Sequence, residues 1–116
     1  MTLDPWPNAL HRRLSDYRSA EQQSRLQSVF GTTTPVVLVT GSAADRVGRQ
    51  VARRFAMHGY RIVLHGLRST DEGAAVCERW KEFGIDCMLV QGSVDDTHAI
   101  ENWMQQINDR MGRIDV

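Results

Sequence analysis

Residues 35–69 place two short apolar runs on either side of a glycine-containing turn and a helical segment, and this order restricts the fold. The first run, Val36–Val39, is typical of a strand buried on both faces, as in a parallel sheet. An apolar helical face follows at Val47, Val51 and Phe55. Gly59 ends that helix, and residues 60–65 form a second apolar run. We therefore predict a β-α-β unit whose first turn can bind a phosphate.

The alternation of helices and strands continues to the last residue. Ser69 and Glu72 have capping-box spacing before a helix predicted at about residues 71–83, and residues 87–90 predict a third strand. The clearest helical stripe consists of Ile100, Trp103, Met104, Ile107 and Met111. Residues 113–116 have the pattern of a starting fourth strand. These elements predict an α/β fold with a partial, Rossmann-like, doubly wound parallel sheet, in which strands run 3-2-1 and the fourth lies beside the first.

Residues 1–34 differ from the rest and predict an N-terminal helical extension, so that residues 35–116 form the nucleotide-binding domain. One apolar cluster lies at Leu10, Leu14 and Tyr17, and a second at Leu26, Val29 and Phe30. Gly31 is expected to end the helical part. The extension is interpreted either as a docking or dimerisation element or as a helix that covers part of the domain.

Composition excludes several classes of protein. The formal net charge is zero, so no basic excess indicates nucleic-acid binding. No apolar run approaches the roughly 20 residues of a membrane span, and the N-terminus lacks the pattern of a signal peptide. Cys77 and Cys87 match neither a disulfide framework nor a zinc motif, which favours two reduced thiols and a cytoplasmic location.

The glycine turn and its surroundings resemble the short-chain dehydrogenase/reductase family. Thr40, Gly41 and Gly48 match the ends of the family's Thr-Gly-x-x-x-Gly-x-Gly turn, but the middle glycine is absent and the turn is one residue longer. Pteridine-reductase-like members have a similar turn without the middle glycine. The resemblance extends over about 80 residues, through Gly59, Arg68 and Gly92, to residues 113–116, which in the family continue into Asn-Asn-Ala-Gly. It implies a nucleotide-binding domain of the NAD(P) type.

The end of the second strand favours NADP(H) over NAD. Enzymes that prefer NAD place a carboxylate there to hold the ribose hydroxyls, whereas this chain continues from His65 to Arg68 and Ser69. A guanidinium and a hydroxyl suit a 2′-phosphate. By the resemblance, Arg46 contacts the same phosphate. The alternative is that both arginines are ordinary solvated residues among the chain's thirteen.

Adenine contact is expected at Ser93, where the family usually has Asp, and at the Val94 backbone, and His65 could approach the adenosine. The predicted cofactor-binding residues are Gly41, Ser42, Arg46, Val47, Gly48, His65, Arg68, Ser69, Ser93 and Val94. No metal site is predicted, because Asp95 and Asp96 are more typical of helix caps.

The family's catalytic Tyr-x-x-x-Lys spacing does not occur in the 116 residues. Tyr17 is followed at the fourth place by Glu21, Tyr60 is followed by Leu64, and the one lysine is Lys81. No catalytic residue is therefore assigned, and enzymatic activity of the chain itself stays open.

The resemblance implies the NADP(H)-binding part of an oxidoreductase that reduces a carbonyl or a pterin-like C=N bond. The small-molecule substrate is then expected only if a C-terminal catalytic half is supplied, and a homo-oligomer is left open. The alternatives are a non-catalytic nucleotide-binding module or a truncated gene product without independent activity. Neither a nucleic acid nor a membrane is an expected partner.

Overall fold

A computed structural model of the chain describes residues 19–68 and 70–116. Helices and strands alternate after the first helix, as the sequence predicts. The elements in chain order are α1 (Ala20–Phe30), β1 (Val36–Val39), α2 (Val47–Met57), β2 (Arg61–Gly66), α3 (Thr70–Lys81), β3 (Cys87–Gln91) and α4 (Thr97–Met111). The predicted α/β class is confirmed.

The three strands form one parallel sheet in the order β1-β2-β3. Val36 pairs with Arg61 and Ile62 pairs with Cys87, so the strands run outward 3-2-1 as predicted. Asp115 N–H donates to Val36 O at 2.8 Å, and the chain end thus lies along the edge of β1 opposite β2. This places the fourth segment beside the first strand, which is the predicted doubly wound arrangement.

Side chains from both faces of the sheet are buried, because helices cover both sides. The face under α2 and α3 carries Val37, Ile62 and Leu64, and Trp80 of α3 is completely buried against it. The opposite face carries Val36, Val63, Met88 and Val90, packed against Trp103, Ile107 and Met111 of α4. Alternate residues of each strand therefore enter different cores, which explains the continuous apolar runs in the sequence.

Helix α2 buries a different face from the predicted one. Val47 is 79% exposed and Val51 is 41% exposed, whereas Ala52 and Ala56 are completely buried against the sheet. Small side chains at these positions let the helix lie close to the strands, and the larger valines are turned away. The predicted stripe of Val47, Val51 and Phe55 is therefore wrong as a core face, with Phe55 only partly buried.

Helix α4 largely follows its predicted stripe. Trp103, Ile107 and Met111 are buried, Ile100 is partly buried, and Met104 is 38% exposed. Asp96 caps the helix, because its side chain accepts hydrogen bonds from the backbone N–H groups of His98 and Ala99. Gly112 ends the helix with a left-handed φ of 79°.

Helix α1 packs beside the turn that leads from α2 into β2. Leu26 is buried, the rings of Phe30 and Tyr60 meet edge to face at 5.8 Å, and Gly31 ends the helix with a φ of 73°. Val29, predicted to share this apolar cluster, is 73% exposed. The described half of the N-terminal extension therefore covers part of the domain. The helix predicted after Asn8 lies outside the described residues.

The two cysteines face each other between α3 and β3. The Sγ atoms of Cys77 and Cys87 are 2.7 Å apart, and both residues are buried. Burial and the hydrogen bond to Cys77 raise the pKa of the Cys87 thiol well above its usual range. Within the described residues, no helix combines the length and apolar character needed to cross a membrane.

Candidate functional site

A cleft of about 390 Å³ opens where β1 and β2 end. The residues that line it are Gly41, Ala43, Ala44, Arg46, His65, Gly66, Leu67 and Arg68. Four of the ten predicted cofactor-binding residues are thus brought together: Gly41, Arg46, His65 and Arg68. The cleft lies at the carboxyl ends of parallel strands, where open α/β sheets usually bind their ligands.

The glycine turn between β1 and α2 is held by its own backbone and by Ser42. Gly41 has a φ of +65°, a left-handed conformation that favours glycine. Ser42 is completely buried, and its Oγ donates to Val39 O at 2.6 Å while accepting from His65 N–H at 3.1 Å. Ser42 therefore stabilises the turn from its buried side, and its hydroxyl points away from the cleft into the protein.

Helix α2 begins without a capping side chain. Arg46 occupies the N-cap position in an extended conformation and makes no side-chain capping hydrogen bond. The first N–H groups of a helix lack intrahelical partners and carry partial positive charge, so this end attracts an anion. Val47 is 79% exposed at the first helical position, beside the cleft.

Gly48 is required by a close backbone approach. A Cβ added at Gly48 would lie 2.6 Å from Gly41 O and 2.9 Å from Gly41 C. Both atoms belong to the backbone, so they cannot move aside as a flexible side chain would. The glycine thus allows the first turn of α2 to pack directly against the glycine turn, which positions the helix end at the cleft.

Two guanidinium groups flank the cleft from different segments. Arg46 enters from the start of α2 and Arg68 from the segment after β2, and both residues are exposed. Within residues 19–68 and 70–116, neither forms an ion pair with a carboxylate. No acidic residue is among those that line the cleft. Ser69, predicted as a third ligand of the same phosphate, lies outside the described residues.

The ring of His65 forms its hydrogen bonds within the protein. Both ring nitrogens make hydrogen bonds to backbone groups, and the residue is only 4% exposed. A hydrogen bond from this ring to a nucleotide would require one of those two bonds to break. His65 therefore lies at the cleft, but its ring nitrogens are hydrogen-bonded to the two neighbouring turns and are not available to a ligand.

Ser93 and Val94 follow β3 and are not among the residues that line the cleft. Val94 is 58% exposed, and Ser93 Oγ donates to a carboxylate oxygen of Asp95. Asp96, the next residue, caps α4. Asp96 is thus a helix cap, as the sequence indicates, whereas Asp95 accepts a hydrogen bond within the turn.

Arg49 is a residue that the sequence analysis missed. It is 1% exposed on the buried face of α2, and its Nη2 donates to Ala43 O and, at 3.0 Å, to Glu72 Oε1. The guanidinium therefore ties the glycine turn to α3, directly after the segment that carries Arg68. Its spacing of three and seven residues from Ala52 and Ala56 was the available signal, because these positions share one helical face.

A family profile described as short chain dehydrogenase matches residues 35–116. Among curated proteins, 3-oxoacyl-(acyl-carrier-protein) reductase FabG of Staphylococcus aureus is 30% identical over 83 residues, which are 72% of this chain and 33% of that protein. The chain thus spans about a third of the length of the curated relatives it matches.

Solved structures similar to this chain also include a short chain dehydrogenase. FolM alternative dihydrofolate reductase 1 from Brucella suis, in complex with NADP, is 34% identical with a TM-score of 0.61, and the match covers 70% of this chain and 31% of that one. A short chain dehydrogenase from Burkholderia cenocepacia, also in complex with NADP, has a TM-score of 0.63 at 23% identity, over 71% of this chain and 33% of that one. The second likeness concerns the fold alone.

Proposed function

Because the chain belongs to the short-chain dehydrogenase family, we propose that it is the NADP(H)-binding part of an NADPH-dependent reductase. The observation that carries this proposal is the pair of exposed guanidinium groups, Arg46 and Arg68, on one cleft whose described lining residues include no carboxylate. A phosphate monoester matches planar, always-charged donors, and a ribose diol would instead favour a carboxylate. The relative from Brucella suis, solved with NADP, supports this choice.

The other parts of the dinucleotide are assigned to residues in and near the cleft. The pyrophosphate is proposed to lie at the uncapped start of α2, near Val47 and Gly48, because free helical N–H groups favour an anion there. Gly41 leaves room for a close approach in the turn. The adenine is proposed to extend toward Ser93 and the Val94 backbone, and Ser69 is proposed to join Arg68 at the 2′-phosphate.

The bound dinucleotide would supply a hydride for reduction of a carbonyl or a pterin-like C=N bond. In this scheme the residues of this chain bind and orient the cofactor. A reacting carbonyl also needs a proton donor, and the family's Tyr-x-x-x-Lys spacing is absent from these 116 residues. We accordingly expect the chain to bind NADP(H) without turning over ketones or pterins. The small-molecule substrate is a proposal for a protein that also carries those residues.

A non-catalytic nucleotide-binding module is the second candidate, in which the same cleft residues would bind a dinucleotide and no reduction would follow. A steady-state assay with NADPH and a panel of ketones and pterins distinguishes the chain from a self-sufficient reductase. Turnover by the 116-residue chain would show that another proton donor serves, and would contradict the proposal that these residues only hold the cofactor.

Calorimetric titration with NADP and NAD tests the phosphate site. We expect the wild type to prefer NADP, and Arg68→Ala to weaken NADP by about tenfold or more, since charge-assisted hydrogen bonds contribute roughly 1.5–3 kcal/mol. NAD affinity should change little. Arg25→Ala is the matched control, because this arginine of α1 is 68% exposed and pairs with the nearby Glu21. Equal affinity of wild type and Arg68→Ala for NADP would refute the assignment.

A further inference from the structure

His65 is a buried polar residue at the end of a strand that is otherwise apolar from Ile62 to Leu64. Gly41 N–H donates to its Nδ1 at 2.9 Å, and its Nε2 lies 2.8 Å from Gly92 O. Since a backbone amide can only donate to Nδ1 and a carbonyl can only accept from Nε2, the ring is neutral with its hydrogen on Nε2. One ring thereby joins the turn after β1 to the turn after β3.

The backbone of His65 holds the same glycine turn. Its carbonyl oxygen accepts from Ser42 N–H at 2.9 Å and from Ala43 N–H at 3.0 Å, while its own N–H donates to Ser42 Oγ. The N–H groups of three consecutive residues, 41–43, are thus all directed at His65. A phosphate in the cleft would therefore meet the start of α2 instead of these three amides.

The ring also has a fixed environment on its other side. It lies 4.5 Å from the ring of Trp103, whose indole N–H donates to Gln91 O at 2.7 Å. Gly92, the acceptor of the histidine, cannot gain a side chain, because an added Cβ would lie 2.8 Å from Ala99 Cβ. The histidine thus connects the glycine turn to a rigid part of the domain.

We propose that His65 is a positioning residue of the nucleotide site, and that its Nδ1 holds the glycine turn in the conformation that receives the dinucleotide. This inference rests on the proposed function. The bond to Gly41 acts on the cofactor site, because it fixes the turn that packs against Gly48 and the start of α2. The bond to Gly92 supports the ring from the opposite side. The two bonds can be separated by substitution.

Asparagine and glutamine retain one ring nitrogen position each. In His65→Asn the side-chain oxygen can occupy the place of Nδ1 and accept from Gly41 N–H, and in His65→Gln the amide reaches the place of Nε2 and donates to Gly92 O. Each variant loses one hydrogen bond and ring contact with Trp103. A purely structural role therefore predicts similar losses in both variants. A positioning role through Nδ1 predicts a difference in NADP affinity.

The experiment combines calorimetric titration with NADP and urea unfolding. We expect His65→Asn to bind NADP within about threefold of wild type and His65→Gln to bind about tenfold more weakly. A tenfold loss corresponds to the upper end of the usual contribution of one hydrogen bond, here the bond from Gly41 N–H. His98→Gln is the control, since that side chain is 97% exposed on α4. Equal NADP affinity of the two His65 variants, at matched unfolding midpoints, would overturn the proposal.

Nitrogen NMR of the wild-type imidazole tests the geometry without a cofactor. The expected signature is a protonated Nε2 and an unprotonated Nδ1 at neutral pH. A ring protonated at Nδ1 would overturn the proposal, even if the variants fail to fold. If wild type shows the expected tautomer but does not bind NADP, the proposed function is refuted, and the role of His65 for the cofactor falls with it. The two failures are therefore distinguishable.

Discussion

Removal of the Glu72 carboxylate should destabilise the chain more than removal of the Arg49 guanidinium. Arg49 is 1% exposed, whereas the Glu72 side chain is 20% exposed and reaches water. In Glu72→Ala the buried cation keeps Ala43 O as its remaining hydrogen-bond acceptor in the described part of the chain. In Arg49→Met the carboxylate can turn to solvent, and the methionine fills much of the vacated volume.

The expected magnitudes differ because only one substitution leaves a buried charge. Breaking a buried ion pair from one side costs about 3–5 kcal/mol, and the partial exposure of Glu72 places Glu72→Ala near 3 kcal/mol. Arg49→Met leaves the Ala43 carbonyl without its donor, which costs about 1–2 kcal/mol. The double variant that combines Glu72→Ala with Arg49→Met should be more stable than Glu72→Ala alone, since it no longer contains an unpaired buried cation.

Urea unfolding followed by tryptophan fluorescence measures these differences as a double-mutant cycle. Glu21→Ala is the matched control, because the Arg25–Glu21 pair has a 2.6 Å contact but side chains that are 68% and 75% exposed. Its expected cost is about 0.5 kcal/mol or less. A larger loss of stability in Arg49→Met than in Glu72→Ala, or a loss in Glu72→Ala no larger than in the control, would contradict the assignment of a buried, paired cation.

Three further measurements address other parts of the molecule. Gly48→Ala should lower stability by about 1–3 kcal/mol in urea unfolding and weaken NADP binding, because its Cβ would meet a backbone oxygen at 2.6 Å; unchanged values of both would contradict the close approach. Cys77 and Cys87, both buried, should resist iodoacetamide in native buffer and react after unfolding, as read by mass spectrometry; rapid native labelling would contradict their burial. The Arg113 hydrogen bonds hold the pKa of Asp115 below its usual range, so its contribution to stability is present above about pH 4 and is lost as pH falls through the folded pKa. Asp115→Asn should therefore differ from wild type in urea midpoint at pH 7 and much less at pH 2; an equal difference at both pH values would contradict the assignment.

The order of elements could be predicted because local patterns determine it. The apolar runs at Val36–Val39 and residues 62–64 enter two cores at once, and only a strand covered on both faces allows this. Glycines at positions 31, 59 and 112 with positive φ mark the turns after helices. These signals require no knowledge of which side chains meet across the fold.

The buried face of α2 and the burial of Arg49 could not be found in the same way. The periodicity of the sequence predicts the large valines as the buried face of α2. The helix lies so close to the sheet that the small side chains of Ala52 and Ala56 are buried instead. The sequence does not indicate the partners of Arg49, because Glu72 and Ala43 O are brought to it by α3 and the glycine turn. Such partners come from distant segments, so their pairing depends on tertiary geometry.

The candidate site divides in a similar way. The sequence predicts Arg46 and Arg68 as phosphate ligands from their charge and position, and both residues line the cleft at the ends of β1 and β2. For His65 the sequence predicts only a position at a strand end, from which the residue could approach the adenosine. The three apolar residues before His65 indicate that it is buried, and a buried polar side chain is usually hydrogen-bonded within the protein.

The attachment of Asp115 to β1 has a consequence for the order of folding events. Asp115 Oδ2 accepts from Val36 N–H at 2.9 Å across a separation of 79 residues. The β1–β2 pairing joins residues only about 25 apart, so closing the longer loop costs about 1 kcal/mol more in chain entropy. The β-α-β units should consequently form first, and β1 should remain an open edge until the last residues arrive. During that interval the edge of the strand that leads into the glycine turn is open to pairing with another chain, in addition to the outer edge of β3.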